Sequence, residues 1–126
     1  MIKKNILIDI DGTVSEDIPN EESHRFKDAC VLDGAVLSVN KLYNDGHIIT
    51  FFTARKEIDR QITIDWLDNN GFKYHQLLMN KPRGGNYIWI DNLNVEGIHY
   101  KDNWGKVLSD IMNNKNNIET NLNTSL

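Results

Sequence analysis

The sequence predicts one α/β domain, a Rossmann-like three-layer sandwich in which helices cover both faces of a mostly parallel sheet. Two observations carry this prediction. Short runs such as residues 48–53 are apolar without alternation, which is typical of strands buried on both faces. Segments in which apolar residues recur at helical spacing lie between the first three of these runs. The length of 126 residues, 40% of them hydrophobic, suits one core and makes two domains improbable.

The first half of the chain predicts two strands and one helix. Residues 6–10 form an apolar run with a single acid, and Asp11 and Gly12 end it. A loop with four acids and a proline follows at residues 15–22. Apolar residues at helical spacing over 36–43 indicate a helix, for which Gly46 suits a C-terminal cap. Residues 48–53 form the second buried strand.

The second half predicts a further helix and more strands. Ile58, Ile62 and Trp66 mark one face of a helix, and residues 75–79 form a third strand. A fourth strand is expected at 87–90, and the run at 97–100 is a candidate fifth. Residues 106–112 are a candidate last helix. We assign residues 1–112 to the domain and expect a disordered tail at 113–126, where six of 14 residues are Asn.

Composition narrows the classes of protein to consider. A net charge of −4 and a pI near 5.5 count against a protein that coats nucleic acid or an anionic membrane. The apolar runs are too short to cross a bilayer. The single cysteine, Cys30, excludes an internal disulfide, so a cytoplasmic location is expected.

Polar residues fall where the predicted strands end. Asp9 and Asp11 end the first strand, residues 53–55 the second, Lys81 follows the third, and Asp91 ends the fourth. Because parallel strands place their carboxyl ends on one edge of the sheet, these side chains are expected to converge there, where ligands bind in such folds.

The chemistry of these residues points to a bound metal and a phosphate. Carboxylates of Asp9, Asp11 and Asp91 repel one another unless a cation lies among them, and an all-oxygen site suits Mg²⁺. Lys81 and Arg55 beside such a cluster suit a bridging phosphate. Arg55 has a second possible role, as a partner of nearby acids.

Further groups at this edge fit a phosphate. Gly12 allows a sharp turn whose amides could hold phosphate oxygens, and Thr53 can donate a hydroxyl. Asp9 could attack phosphorus as a nucleophile, while Asp11 could transfer the proton.

Four segments resemble, in order, the motifs of the haloacid dehalogenase (HAD) superfamily of phosphohydrolases. The resemblance covers roughly residues 5–105. Within the superfamily, the stretches 40–47 and 80–82 are similar to small capless members associated with capsular polysaccharide biosynthesis. The four segments are Asp9-Ile10-Asp11-Gly12-Thr13-Val14, Phe52-Thr53-Ala54-Arg55, Lys81-Pro82 and Ile90-Asp91-Asn92.

The resemblance implies a role for each matching residue. Asp9 is the expected nucleophile and a metal ligand, and Asp11 is the acid/base and a ligand through its carbonyl. Asp91 is expected on Mg²⁺. Such members usually have a second acid where this chain has Asn92. A last group is expected to bind phosphate or substrate: Gly12, Thr53, Ala54, Arg55 and Lys81.

These features predict a Mg²⁺-dependent phosphomonoesterase that acts on a small phosphorylated metabolite, such as a sugar phosphate. The loop at 15–28 is too short for a folded cap and is expected to form a solvated flap. The resulting open site admits a bulky substrate or a covering subunit of a homo-oligomer. Nucleic acid and membranes are not expected partners.

Three alternatives remain open at this stage. A nucleotide 5′-phosphatase has similar motifs, although no aromatic cluster near them suggests base stacking. A receiver domain of a signalling relay would carry its phosphate on an Asp at the end of a middle strand, where this chain has residues 53–55. A non-catalytic anion-binding relative is favoured only by Asn92.

Overall fold

Three parallel strands form the centre of the molecule. The structure, a computed structural model, describes residues 2–113. The strands are β1 (Asn5–Ile8), β2 (Ile48–Phe52) and β3 (Gln76–Leu78), in the spatial order β1-β2-β3. Ile6 is in register with Ile49, and Phe51 with Leu77. The first three predicted strands are therefore confirmed, each somewhat shorter than its apolar run.

Helices connect the strands as predicted. The first is α1 (Ala35–Asn44), and the second is α2 (Arg60–Asn69), which a short 3₁₀ turn at Glu57–Asp59 precedes. Three successive residues of β2, Ile49–Phe51, are buried. Because successive side chains point to opposite faces of a sheet, both faces of β2 are covered, as an α/β sandwich requires.

A cluster of aromatic rings joins β2 to α2 and to the segment after it. The Phe51 ring meets the Phe72 ring edge-on, with centroids 5.6 Å apart. The Trp66 ring stacks on the Phe72 ring, also with centroids 5.6 Å apart. All three side chains are buried. Edge-on and offset rings of this kind add to the stabilisation from burial alone.

The predicted fourth and fifth strands are absent from the described residues. Residues 87–90 and 97–100 have no strand pairing, and Ile88 and Ile90 are 87% and 91% exposed. Three residues with positive φ, Gly84, Gly85 and Asn86, turn the chain sharply before this run. The run has the composition of a strand, but a strand also needs a partner, and none of the described strands pairs with this segment.

The segment expected to be a solvated flap is instead packed against the domain. It contains a 3₁₀ segment, Asn20–Asp28, that lies beside α2. Ile18 and Phe26 are buried, and the Trp66 indole donates a 2.9 Å hydrogen bond to the carbonyl of Ala29. Residues 12–34, all described, contain no folded cap, as predicted.

The chain returns to the first loop near its described end. A helix, α3, covers residues 104–113, and its Trp104 indole donates a 2.8 Å hydrogen bond to the carbonyl of Thr13. The expected tail therefore overlaps α3 at Asn113, and residues 114–126 lie outside the described part. Within residues 2–113, no helix has the length and apolar character needed to cross a membrane.

Candidate active site

The loop after β1 holds Asp9 and Asp11 in a fixed backbone. The Ile10 carbonyl accepts hydrogen bonds from the amides of Thr13, Val14 and Ser15 at 3.0–3.1 Å. Gly12 has φ +83°, a value that side chains rarely tolerate, and its amide donates to the carbonyl of Ser15 at 2.8 Å. The Gly12 amide, expected to face a phosphate, is therefore engaged within the loop.

Lys81 lies against Asp9. The Lys81 ammonium is 2.9 Å from Asp9 Oδ1, while Asp9 Oδ2 accepts a long bond of 3.4 Å from the Thr13 hydroxyl. The backbone fixes this approach, because the Lys81 amide donates to the carbonyl of Thr53 at 2.9 Å. The same ammonium lies over the ring of Tyr87, 5.3 Å from its centroid. Two residues 72 apart in sequence thus form the charged centre of the site.

Arg55 pairs with Asp11 beneath the surface. Its Nε and Nη2 atoms donate to the two Asp11 carboxylate oxygens at 3.0 and 2.8 Å. The Arg55 side chain is fully buried, and its guanidinium lies 3.7 Å from the centre of the Phe26 ring. Of the two roles that the sequence left open for Arg55, the structure shows the ion pair with an acid.

Thr53 and Ala54 differ in their access to solvent. Thr53 is fully buried, and its hydroxyl oxygen accepts the amide of Arg55 at 3.1 Å. Ala54 lines the surface of the site instead, and its carbonyl accepts a 2.9 Å hydrogen bond from the side-chain Nδ2 of Asn20. The second motif therefore meets the site through Ala54, while Thr53 and Arg55 support it from below.

These residues surround an open cleft of about 190 Å³. Pockets that enclose a whole drug-sized ligand are larger, about 300–1,000 Å³. The cleft therefore suits a phosphoryl group whose attached alcohol extends past the rim. Its lining residues are Asp9, Asp11, Asp17, Ile18, Pro19, Asn20, Ala54, Lys81, Arg83, Gly84 and Tyr87.

Asp91 lies outside this lining. Its carboxylate accepts the Leu93 amide at 3.0 Å and the Trp89 indole at 3.2 Å, and these bonds hold the pKa of Asp91 below its usual value. Across residues 2–113, no three acidic, histidine or cysteine side chains are grouped to hold a metal. The structure thus brings Asp9, Asp11 and Lys81 together and leaves Asp91 on its own turn.

The cleft also contains residues that sequence reasoning did not assign to the site. Asp17 and Asn20 come from the segment expected to be a solvated flap, and Tyr87 from the predicted fourth strand. The sequence indicates Arg83 as a cation near the acids, but a flexible turn is the favoured interpretation of its segment. The sequence held one clue that the expected flap packs against the domain, namely Ile18, an isolated apolar residue within a charged segment. In the structure Ile18 is buried and lines the cleft beside Asp17 and Asn20.

Comparisons with solved structures support the fold. A crystal structure of a structural-genomics target from Vibrio cholerae has a TM-score of 0.54 and 21% identity, covering 71% of this chain and 80% of that one. A structure of the Pnkp1/Rnl/Hen1 complex has a TM-score of 0.56 and 22% identity, and the match covers 72% of this chain and 31% of the matched chain of that complex. No curated protein matches this sequence.

A family model covers most of the chain. The model described as PITM 1-3, LNS2 domain, matches residues 6–118, which include Asp9, Asp11, Lys81 and Asp91. This domain is of the lipin/Smp2 type within the HAD superfamily and belongs to its HAD-like phosphatases. The chain is therefore a member of the LNS2 domain family.

Proposed function

We propose that this protein is a Mg²⁺-dependent phosphomonoesterase that hydrolyses a small phosphorylated metabolite through an aspartyl-phosphate on Asp9. The observation that carries the proposal is the pair of Asp9 and Lys81, 2.9 Å apart, in a cleft that Asp11 also lines. A carboxylate held beside a cation, with a second acid two residues away, has the parts that phosphoryl transfer to an aspartate needs.

In the first step, an Asp9 carboxylate oxygen attacks phosphorus. The new bond joins Asp9 to phosphorus, and the bond from phosphorus to the substrate's alcohol oxygen breaks. Asp11, in its protonated form, gives its proton to that leaving oxygen as the general acid, so an alcohol departs. The Lys81 ammonium counters the negative charge on the phosphoryl oxygens, which is the main catalytic requirement of this reaction class.

In the second step, water attacks the phosphorus of the aspartyl-phosphate. Asp11, now a carboxylate, takes a proton from that water as a general base. The bond between phosphorus and Asp9 breaks, which releases inorganic phosphate and restores the Asp9 carboxylate. Asp11 is protonated again, so both acids end the cycle as they began.

The oxygen donors at the cleft fit Mg²⁺. Among residues 2–113, the one hydrogen bond to Asp9 Oδ2 is the long bond from Thr13, so this oxygen has a lone pair available. Mg²⁺ commonly binds through one or two carboxylates, substrate phosphate and water, so Asp9 and the Asp11 carbonyl would hold it, with Asp91 as the further ligand that the resemblance implies. Bound Mg²⁺ would neutralise phosphate charge.

The open cleft favours substrates that extend beyond the phosphoryl group, and a sugar phosphate remains our first candidate. A nucleotide 5′-phosphatase is the second. The Tyr87 ring supports this second candidate, because it lines the cleft, is 57% exposed and could stack on a base.

Hydrolysis of a panel of sugar phosphates and nucleotides, with and without Mg²⁺, tests the proposal. The Asp9→Asn variant is expected to show no turnover, because an amide cannot form the aspartyl-phosphate. Asp65→Asn makes the same change of charge on the exposed face of α2 and is expected to retain wild-type turnover. Equal activity of the Asp9→Asn variant and wild type would exclude Asp9 as nucleophile.

A further inference from the structure

Arg55 is a fully buried cation that cannot touch a substrate, yet it contacts a residue of the cleft. Its guanidinium donates to both carboxylate oxygens of Asp11, whose side chain is 15% exposed. We propose that Arg55 is a positioning residue that holds the Asp11 carboxylate in the orientation needed for proton transfer. This inference rests on the phosphatase activity proposed above.

The geometry of the pair supports an orienting role. A guanidinium is a rigid planar fork, and two parallel hydrogen bonds fix both the position and the plane of a carboxylate. Each Asp11 oxygen accepts one bond from Arg55 and keeps another lone pair. The remaining lone pair of an Asp11 oxygen that lines the cleft can therefore carry the proton in the acid form, or stay free in the base form, while Arg55 holds the plane of the carboxyl group from behind.

Arg55 is itself held by three parts of the chain. Its Nη1 donates to the Thr63 hydroxyl oxygen at 3.1 Å, and Thr63 in turn donates to the carbonyl of Asp59 at 2.8 Å. The Phe26 ring lies against the guanidinium, and the Arg55 carbonyl accepts the amide of Asn80 at 2.8 Å. The fork is therefore fixed by α2, the 3₁₀ segment and the residues after β3.

Proton transfer provides a readout that a purely structural role would not affect. A good leaving group departs with little help from an acid, whereas a poor one depends on it. Phenyl phosphate and p-nitrophenyl phosphate share an aromatic ring, but phenol is the poorer leaving group. Because kcat/KM covers the steps up to release of the phenol, the ratio of kcat/KM for the two substrates reports on the proton given by Asp11.

The experiment compares this ratio in wild type and three variants. Arg55→Lys keeps the charge but loses the fork, and we expect its kcat/KM to fall about 10²-fold for phenyl phosphate and less than about fivefold for p-nitrophenyl phosphate. Thr63→Val removes only the hydroxyl that anchors Arg55, so the same selective loss should be several-fold. Thr63→Ser restores the hydroxyl and is the matched control.

The outcomes separate this inference from the proposed function. Equal losses on both substrates, or no loss on either, would overturn the positioning role while leaving the phosphatase in place. Wild type that hydrolyses neither substrate would overturn both proposals. If Arg55→Lys does not fold, as judged by its circular dichroism spectrum, the comparison of Thr63→Val with Thr63→Ser decides the question.

Discussion

Lys81 is the cation that reaches the reacting group. Its ammonium is 2.9 Å from Asp9 and lines the cleft, so the Lys81→Met variant removes the counter-ion that lies beside the reacting group. We expect kcat/KM to fall by about 10²–10³-fold, as for the loss of one charge-stabilising donor. Lys106→Met, on the exposed surface of α3, is the control and should be unaffected. Unchanged kinetics for Lys81→Met would show that the third motif has been misassigned.

The resemblance implies that Asp91 binds Mg²⁺, whereas the structure places Asp91 on a turn outside the cleft lining. If Asp91 joins Asp9 on Mg²⁺, the Asp91→Asn variant should need at least about tenfold more Mg²⁺ for half-maximal activity, because even outer-shell substitutions cost that much. Asn92→Ala should cost less, since Asn92 carries no charge. A magnesium titration of both variants measures this. An unchanged requirement in Asp91→Asn would mean that Asp91 stays on its turn with Leu93.

Residue types and strand ends sufficed to predict that Asp9, Asp11 and Lys81 meet. They did not separate Lys81 from Arg55, because both are cations just past the end of a strand. What separates them is Phe26 and Thr63, which cover Arg55 and come from segments whose packing the local pattern does not reveal.

At the scale of elements, the apolar pattern predicted three strands correctly, and its fourth strand and candidate fifth strand were wrong. Residues 48–52 and 87–90 are both rich in residues that favour strands. The first run has a neighbour on each side, β1 and β3, whereas the second follows a turn with three positive φ values. Strand propensity is a property of the run itself, whereas strand pairing depends on the neighbours that the fold places beside it.

One buried hydrogen bond from α2 helps to hold the segment between β1 and α1. In the Trp66→Phe variant, the Ala29 carbonyl loses its 2.9 Å partner and some packing volume is lost. We expect the free energy of unfolding to fall by about 2–4 kcal/mol, from an unsatisfied buried acceptor and a small cavity. Urea unfolding followed by circular dichroism measures it. Leu37→Ala, at an exposed position of α1, is the control, and a loss no larger than that of this control would show that the bond contributes little.

In the molecule as a whole, the candidate site and two histidine contacts lie at opposite ends of the sheet. The site follows the carboxyl ends of the strands. At the amino ends, His47 Nδ1 accepts the amide of Lys4 and His75 Nδ1 accepts the amide of Ile49, each at 3.0 Å. Both bonds need an unprotonated nitrogen. Protonation of His47 at this nitrogen would therefore remove a contact at the end of the sheet away from the cleft.

The lowered pKa of His47 predicts that the stability of the fold depends on pH. Burial, followed by the charge of Lys3, lowers the pKa of His47, and Lys4 adds to this effect while Asp45 opposes it. The unfolded chain, with an ordinary histidine pKa near about 6.5, therefore binds a proton at a higher pH than the folded chain does. By linkage, the contribution of His47 is complete above about pH 6.5 and is lost as the pH falls from there toward the lower folded pKa.

The His47→Asn variant tests this directly, because its side-chain oxygen can accept the Lys4 amide without titrating. Urea midpoints at pH 7.5, 6.5 and 5.5 should fall in wild type and fall less in His47→Asn. His24→Asn alters an exposed histidine and should follow wild type at every pH. If the urea midpoint of His47→Asn falls with pH as steeply as that of wild type, groups other than His47 cause the acid sensitivity.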